Sequence, residues 1–331
     1  MISVVCPFFN EASIIEASVR RMLTNLGQLA HDWELIIVND GSTDGSLAIA
    51  QALAGEEPRL RTLGYAVNRG RGHALRTGIA AARGEVVVTT EIDSSWGNDI
   101  VRRLVEALER NPQADIVIAS PNLPGGGYRN VPRRRVLVSR LGNMILRAAL
   151  DPGITMYTGM TRGYRREAIV KLPLDEDEKE FHLEVIRKAH AFGYRVVEIP
   201  AVLEWQHQKL AKPGSERKSS SRTGKLIRTH FLFSMVVAPF RYILPAAVFL
   251  ALLATAFMLI AFYSLLFTEG PSIYYAMVSF FLYLFAFLLL VTGILAQQNM
   301  AAEAEMWRVR SDMRAAGQKT RESAGDAAEP R

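Results

Sequence analysis

Over the first 120 residues, short and nearly continuous apolar runs alternate with longer stretches in which apolar residues recur every three or four positions. The runs at 2–6 (ISVVC), 34–38 (ELIIV), 85–89 (EVVVT) and 115–119 (DIVIA) have the apolar, largely β-branched character of parallel strands buried on both faces. Between them, residues 14–29, 46–53, 73–82 and 100–108 carry helical spacing. In the last, Ile100, Val101, Leu104, Val105 and Leu108 share one face, and Asn98 or Asp99 stands where a helix needs its N-cap. Repeated strand–helix–strand units predict an α/β, Rossmann-like domain whose ligands lie past the carboxyl ends of the strands.

The pattern changes towards the C-terminus. Residues 243–267 and 273–296 are uncharged runs of 25 and 24 residues. Each exceeds the roughly 20 apolar residues that a bilayer-crossing helix needs. Residues 297–331 turn polar and end AGQKTRESAGDAAEPR, the composition of a disordered tail. The expected organisation is a soluble domain over 1–210, a juxtamembrane segment over 211–242, a two-helix transmembrane hairpin over 243–296 and a polar tail over 297–331. Residues 1–9 are apolar, but they lack a basic leader region and break at Asn10 and Glu11, so a buried first strand is expected there.

Charge refines this picture because it is local. The 331-residue chain carries a net +6, yet residues 207–241 alone hold eight Lys or Arg against the single acid Glu216, leaving the remainder near neutral. A basic segment beside an apolar span is drawn to anionic lipid headgroups by about 1 kcal/mol per near-surface charge. Residues 224–242 mix Lys225, Arg228 and Arg241 with apolar positions, as an interfacial helix does. The link at 268–272 has no basic residue, whereas the tail carries Arg308, Arg310, Arg314 and Lys319. Both ends of an integral membrane protein are then expected to be cytoplasmic. No groove-reading motif accompanies the basicity, so nucleic acid is not an expected partner. Cys6 is the sole cysteine, which excludes an intrachain disulfide and a cysteine-rich zinc site.

Three polar clusters follow three of the expected strands: Pro7-Phe8-Phe9-Asn10-Glu11, Asn39-Asp40-Gly41-Ser42-Thr43-Asp44-Gly45, and Glu91-Ile92-Asp93. The second alone could be a plain turn capped by Asp44. Together on one sheet edge they read as a nucleotide site. Asn68-Arg69-Gly70-Arg71-Gly72 is no dinucleotide fingerprint, because the third glycine would fall at Leu75. It reads as a glycine-permitted loop carrying Arg71 or Arg76 towards phosphate. His73 is not an expected metal ligand, since the histidines are scattered. Glu91 and Asp93, two apart in an extended segment, would face one hard cation, Mg²⁺ or Mn²⁺, whose other ligands are diphosphate oxygens. The acidic run 175–180 reads as a solvated loop. Residues 129–147 hold six arginines and no acid, which suits phosphate recognition or a solvated basic helix.

Taken in order, PFFNE, NDGSTDG, NRGRGHALRTG and ExD resemble the family-2 glycosyltransferases of the GT-A fold. With the second half and the spans included, the resemblance is to the polyprenyl-phosphate, dolichol-phosphate mannose synthase-like subgroup. It implies that Pro7, Phe9, Glu11 and Asp40 hold the base and ribose of a nucleoside-diphosphate sugar. It also implies that Gly70 and Arg71 belong to the donor site, and that Glu91 and Asp93 hold nucleotide and metal. Arg135 and Ser139 fall on the acceptor-phosphate positions of a segment spanning 130–143. Departures from the family pattern are Asn39 and Glu91 for aspartates, Ser95 for a frequent glutamine, Pro121 and Asn122 where an arginine is usual, and TMYTGMT at 155–161 for DPTSGFR. Phe181-His182-Leu183-Glu184, Arg187 and Gly193 return to the pattern.

A hydroxyl acceptor needs a positioned general base, whereas a phosphate monoester is already anionic. Residues 155–185 contain no Thr-Glu-Asp motif, their one Glu-Asp pair, Glu176-Asp177, falls in the acidic run read as a solvated loop, and the chain has no Q-x-x-R-W motif. The resemblance therefore implies inverting transfer to undecaprenyl or dolichyl phosphate among membrane lipids, with Asp93, Arg135 and Ser139 carrying the chemistry. Two alternatives stay open. One is the same donor with a sugar or lipid hydroxyl acceptor. The other is a catalytically weakened scaffold, to which the substitutions at Asn39, Glu91, Ser95 and Thr155 point. Homo-oligomerisation through the spans follows only by analogy.

Overall fold

Each of the four apolar runs forms a buried strand. The structure is a computed structural model describing residues 1–150, 153–205, 234–235, 238–267, 270 and 272–326. In chain order the first half runs β1 (Ile2–Phe8), α1 (Ile15–Leu26), β2 (Trp33–Asp40), α2 (Ser46–Glu56), β3 (Leu60–Tyr65), α3 (Arg71–Ala81), β4 (Val86–Thr89), α4 (Ile100–Arg110) and β5 (Ile116–Ser120). It continues through β6 (Gly127–Arg129), α5 (Arg133–Ala149), β7 (Arg162–Arg165), α6 (Arg166–Lys171), α7 (Phe181–Ala191), β8 (Val196–Pro200) and β9 (Val202–Glu204). Seven strands form one sheet in the order β3-β2-β1-β4-β7-β5-β8, with β6 and β9 paired separately.

Register decides where the polar clusters meet. β1 pairs in parallel with β2, Phe8 opposite Asn39, and with β4, Val5 opposite Thr89. Residues 9–11, 41–45 and 90–93 therefore leave the sheet along one edge, and the Thr90 N–H still reaches the Val5 carbonyl at 3.1 Å. Helix α3 packs against β1 and β2. Its Gly78 lies so near β1 that an added Cβ would stand 2.3 Å from Val5 Cγ1.

Strand β7 breaks the sequence pattern. Its four residues, RGYR, lie in mid-sheet and antiparallel to both β4 and β5. Two arginines in four residues conceal a strand from any apolar-run criterion, and here each is satisfied by carbonyls. Arg162 is fully buried and donates to the Gly159, Tyr157 and His182 carbonyls at 2.8, 2.6 and 3.0 Å. Arg165 donates to the Ala114 and Leu108 carbonyls.

Two further expectations are corrected. The acidic run 175–180 is not simply solvated, because it packs over the start of α3. The buried Glu184 side chain accepts the Asp175 and Glu176 N–H groups at 3.0 Å each, and Lys188 Nζ reaches Glu184 Oε1 at 2.6 Å. The tail is not disordered over its described length either. After α8 (Pro239–Phe267), α9 runs unbroken from Ser272 to Asp326. Within its polar part, Glu303, Trp307 and Arg308 contact α7.

Helices α8 and α9 are long and apolar enough to cross a membrane, and only 11% and 17% of their most apolar windows are buried. That exposure rules out core helices of a soluble domain. Their shared seam is built of small residues: Ala247, Ala254 and Ala261 are buried at seven-residue intervals. Ser279 Oγ donates to the Ala254 carbonyl at 2.8 Å, and the Thr255 and Tyr283 hydroxyls lie 2.8 Å apart. Close backbone approach of this kind holds helices together where no hydrophobic effect drives them. Of the expected interfacial stretch 224–242, residues 224–233 and 236–237 lie outside the described residues, as do Arg217 and Lys218.

Adding one methyl group at Gly78 should force α3 off β1 and cost about 1–3 kcal/mol. Thermal unfolding of Gly78→Ala should accordingly occur about 3–8 °C lower than wild type. An unchanged Tm would mean that α3 and β1 do not pack this closely.

Candidate active site

The loops after β1 and β2 are laced together by side-chain-to-backbone hydrogen bonds. Asn10, held at φ 54°, accepts the Thr43 N–H at 2.8 Å while its own N–H donates to Ser42 Oγ at 3.0 Å. The Glu11 N–H donates to Ser46 Oγ at 2.8 Å, and the Ala12 N–H to Asp44 Oδ2 at 3.0 Å. Asp44 also accepts the Ser46 N–H at 3.0 Å, so it serves as turn cap and loop tie together. Burial pushes the Asp44 carboxyl up, but the hydrogen bonds from Ser46 and Ala12 bring it below the usual carboxylate value. Asn39, buried, accepts the Ser42 N–H at 3.0 Å. In this chain, that amide supports the loop in place of a carboxylate.

Asp40 organises the next loop. Its Oδ1 accepts the Tyr65 hydroxyl at 2.6 Å, the Arg69 N–H at 3.0 Å and the Gly70 N–H at 3.1 Å, and its Oδ2 accepts Asn68 Nδ2 at 3.0 Å. With 5% exposure, the carboxylate sits beneath the loop and gives residues 68–70 their shape. Burial, with the hydrogen bond to Asp40, raises the Tyr65 hydroxyl well above its ordinary pKa. Gly41 permits this crossing: at φ 68°, its Cβ would fall 2.3 Å from the Asn68 nitrogen.

Glu91 and Asp93 follow β4, but the expected extended geometry is not found. Strand β4 stops at Thr89, and residues 92–93 form a turn completed by Ser94 at φ 55°. The tight turn lets buried Ile92 and Trp96 pack inward while both acids stay half-exposed. Glu91 Oε2 accepts the Trp96 indole N–H at 3.1 Å. Asp93 Oδ1 accepts both the N–H and the hydroxyl of Ser95, the former at 3.1 Å. Ser95 therefore orients the acid directly. Burial, then the carboxylates of Asp93, Glu91 and Glu11 in that order, pushes the Cys6 thiol well above its usual pKa. Acids from two loops thus bear on one buried point at the end of β1. Among the described residues no three His, Cys, Asp or Glu are placed to hold a metal by themselves. Two half-exposed oxygen donors do fit a hard divalent cation that takes its remaining ligands from phosphate oxygens and water.

Helix α3 opens beside this edge with Gly70 at φ 99°. Arg71 is exposed, whereas Arg76 pairs with Asp177 and does not extend from the surface. His73 Nδ1 stands 3.1 Å from Asp177 Oδ1, and its N–H donates to the Asp177 carbonyl at 3.1 Å. His182 is 2% exposed, and both ring nitrogens lack a hydrogen-bond partner. Burial, then the charges of Arg162 and Arg71, holds it neutral with its pKa well below the ordinary value.

On the other side, α5 carries Arg135 and Ser139 one turn apart. Arg135 is exposed and lies over the Trp205 ring, 4.5 Å from its centroid. Asn143 Nδ2 donates to the Ser139 carbonyl at 2.9 Å, and Asn143 Oδ1 accepts the Tyr157 N–H at 2.7 Å, fixing α5 to the loop before β7. In that loop Thr155 replaces the family's aspartate. Glu198 of β8 supplies a carboxylate there, accepting the Thr155 N–H and hydroxyl at 2.9 and 2.8 Å and the Met156 N–H at 2.8 Å.

Pro7, Phe9, Glu11, Asp40, Gly70, Arg71, Glu91 and Asp93 therefore occupy one edge of the sheet, and Arg135 with Ser139 a helix on its other half. Sequence reasoning missed Glu198, Arg162 and Asp177. Glu198 lies in a run, VVEIP, that reads as a plain strand, and its role depends on a partner 43 residues away.

In Asp40→Asn, whichever way the amide turns, its nitrogen faces existing N–H or O–H donors. Losing charge-assisted bonds to a buried group should cost about 1.5–3 kcal/mol. The expected result is a Tm about 4–8 °C lower, with faster amide exchange at residues 68–70. Wild-type stability would show that the carboxylate is not what holds the loop.

Comparisons with known proteins bear on the family and the fold. A family model described as glycosyl transferase family 2 matches residues 3–172. The chain is 32% identical over 204 residues to the polyprenol monophosphomannose synthase of Mycolicibacterium smegmatis, covering 60% of this chain and 75% of that protein. It is 29% identical over 202 residues to the undecaprenyl-phosphate mannosyltransferase of Micrococcus luteus, covering 59% and 80%. Among solved structures, glucosyl-3-phosphoglycerate synthase of Mycobacterium tuberculosis, in complex with Mn²⁺, UDP-glucose and phosphoglyceric acid, superposes with a TM-score of 0.52 at 23% identity. That match covers 71% of this chain and 78% of that one, and it supports the fold, a GT-A domain. With just over half its length matched by the family model, the chain belongs to glycosyl transferase family 2.

Proposed function

We propose that the protein transfers a sugar from a nucleoside-diphosphate sugar to the phosphate of a polyprenyl phosphate, inverting C1, at the cytoplasmic face of the membrane. One observation carries this reading: half-exposed Glu91 and Asp93, beside Glu11 at the strand ends, belong to a chain that continues into a two-helix apolar hairpin. The names of the relatives, which act on polyprenol or undecaprenyl phosphates, support the acceptor class.

On the donor side, exposed Phe9 offers a face for the base, and Glu11 borders the ribose. Asp40 acts from below, through the loop it shapes. The N-terminus of α3 presents Arg71 and the positive end of the helix dipole to the diphosphate. Glu91 and Asp93 would hold a divalent cation, Mg²⁺ or Mn²⁺, which when bound would supply positive charge against a departing diphosphate. Trp96 and Ser95 hold those two acids in place beforehand.

On the acceptor side, Arg135 and Ser139 orient the phosphate monoester from one face of α5. Its oxygen attacks C1 opposite the diphosphate. The new O–C1 bond forms as the C1–O bond to the diphosphate breaks, and the nucleoside diphosphate leaves with the electron pair. The nucleophile carries no proton to remove, so the step uses no general base.

In a transfer assay with the full chain in detergent, Asp93→Asn should lower turnover by roughly 100-fold or more while leaving Tm within a degree or two of wild type. Arg135→Ala should raise the acceptor KM by about 10–100-fold with the donor KM unchanged. Full activity in Asp93→Asn would remove the metal assignment, and an unchanged acceptor KM would remove the role given to Arg135.

A further inference from the structure

Beyond the membrane, α9 does not end in solvent. Four residues at helical spacing, Glu303, Ala304, Trp307 and Ser311, turn inward, with Trp307 at 8% and Ser311 at 6% exposure, whereas their neighbours Met306, Val309 and Met313 are exposed. Of these, Glu303 and Trp307 lie against α7. The Arg187 guanidinium lies 4.5 Å and Lys188 Nζ 5.0 Å from the Trp307 ring centroid, and Arg187 Nη2 is 3.6 Å from Glu303 Oε1. Arg308 donates to the Ala191 carbonyl at the end of α7, with Nε at 3.1 Å. A cation there satisfies a terminal carbonyl and complements the negative end of the helix. Cation–π stacking, an ion pair and a helix cap thus join the same two elements.

The contact continues inward. Lys188 also donates to the Pro173 carbonyl and to Glu184 Oε1, at 2.5 and 2.6 Å. Glu184 holds the N–H groups of Asp175 and Glu176. The loop so fixed lies directly on the phosphate-side glycines. A Cβ on Gly70 would stand 2.4 Å from the Asp177 oxygen, and one on Gly72 would stand 2.5 Å from the Glu176 oxygen. Meanwhile α9 is one helix, so the rise of 1.5 Å per residue sets Trp307 about 16 Å beyond Ala296 along its axis.

We propose that the extension of α9 is a strut: docked on α7 through Trp307, Glu303 and Arg308, it fixes the catalytic domain at a set height above the membrane and, through Lys188 and Glu184, braces the loop at 174–178 against the donor-side turn at Gly70–Gly72. Trp307, Lys188 and Glu184 are positioning residues that touch no reacting atom. The strut does not depend on which sugar or acceptor is used.

Hydrogen–deuterium exchange of the full-length protein in lipid nanodiscs tests this directly, because it reads the brace without an activity assay. Trp307→Ala should speed exchange roughly tenfold or more in peptides covering 183–191 and 174–178, well away from the substituted residue. Trp307→Phe, which keeps a ring for the cations, should restore most of the protection. Arg308→Ala, an exposed site, should loosen only the end of α7 near 191–193. These last two variants decide the matter if Trp307→Ala does not fold. Faster exchange confined to α9, with 174–178 and 183–191 unchanged, would overturn the proposal. So would failure of Trp307→Phe to restore protection.

Discussion

Four hydrogen bonds onto the Asp40 carboxylate hold Tyr65 and the loop at 68–70 in shape. A charge this buried is costly unless its lone pairs are satisfied, and here they are satisfied by Tyr65 and by the turn that leads into α3. The parallel register of β1 against β2 and β4 gathers the polar loops, and Asp40 then fixes the path of the loop at 68–70. Asn10, Ser42, Asp44 and Ser46 repeat the same principle on the neighbouring loop. The side chains nearest the site mostly bind backbone, while Phe9 and Arg71 stay exposed.

Around α5 and β7 the supports are Asn143 to Tyr157, Glu198 to Thr155, and Arg162 to three carbonyls. The substitution of Thr155 for aspartate does not leave the loop without a carboxylate, because Glu198 provides one from β8. That weakens the case for an inactive scaffold, whose motive was the departures from the family pattern. Ser95 carries the same lesson, since it binds Asp93 while that acid stays half-exposed.

How much of this could be read beforehand depended on the range of the interactions. Strands β1, β2, β4 and β5 were legible because burial on both faces writes a continuous apolar run. The membrane spans were legible for the same reason at greater length. The convergence of Glu91 and Asp93 with Glu11 followed from strand order, although the extended geometry assumed for the pair was replaced by a turn. Strand β7 was hidden, since Arg162 and Arg165 look solvated until their carbonyl partners are known. The acidic loop at 175–180 and the polar end of α9 failed for one reason. Each is polar by composition and is ordered by partners more than 70 residues away, His73 for Asp177 and Ala191 for Arg308.

The central claim is that a membrane-anchored GT-A site uses a phosphate, not a hydroxyl, as nucleophile. The most direct measurement is mass analysis of lipid products formed by the purified full chain from a panel of nucleoside-diphosphate sugars. Undecaprenyl phosphate and undecaprenol would be supplied in parallel, with Mg²⁺ or Mn²⁺. The account predicts a sugar joined through one phosphate to the polyprenol, formed from the phosphorylated lipid alone and lost with EDTA. A glycosylated undecaprenol, or transfer to both lipids alike, would contradict it.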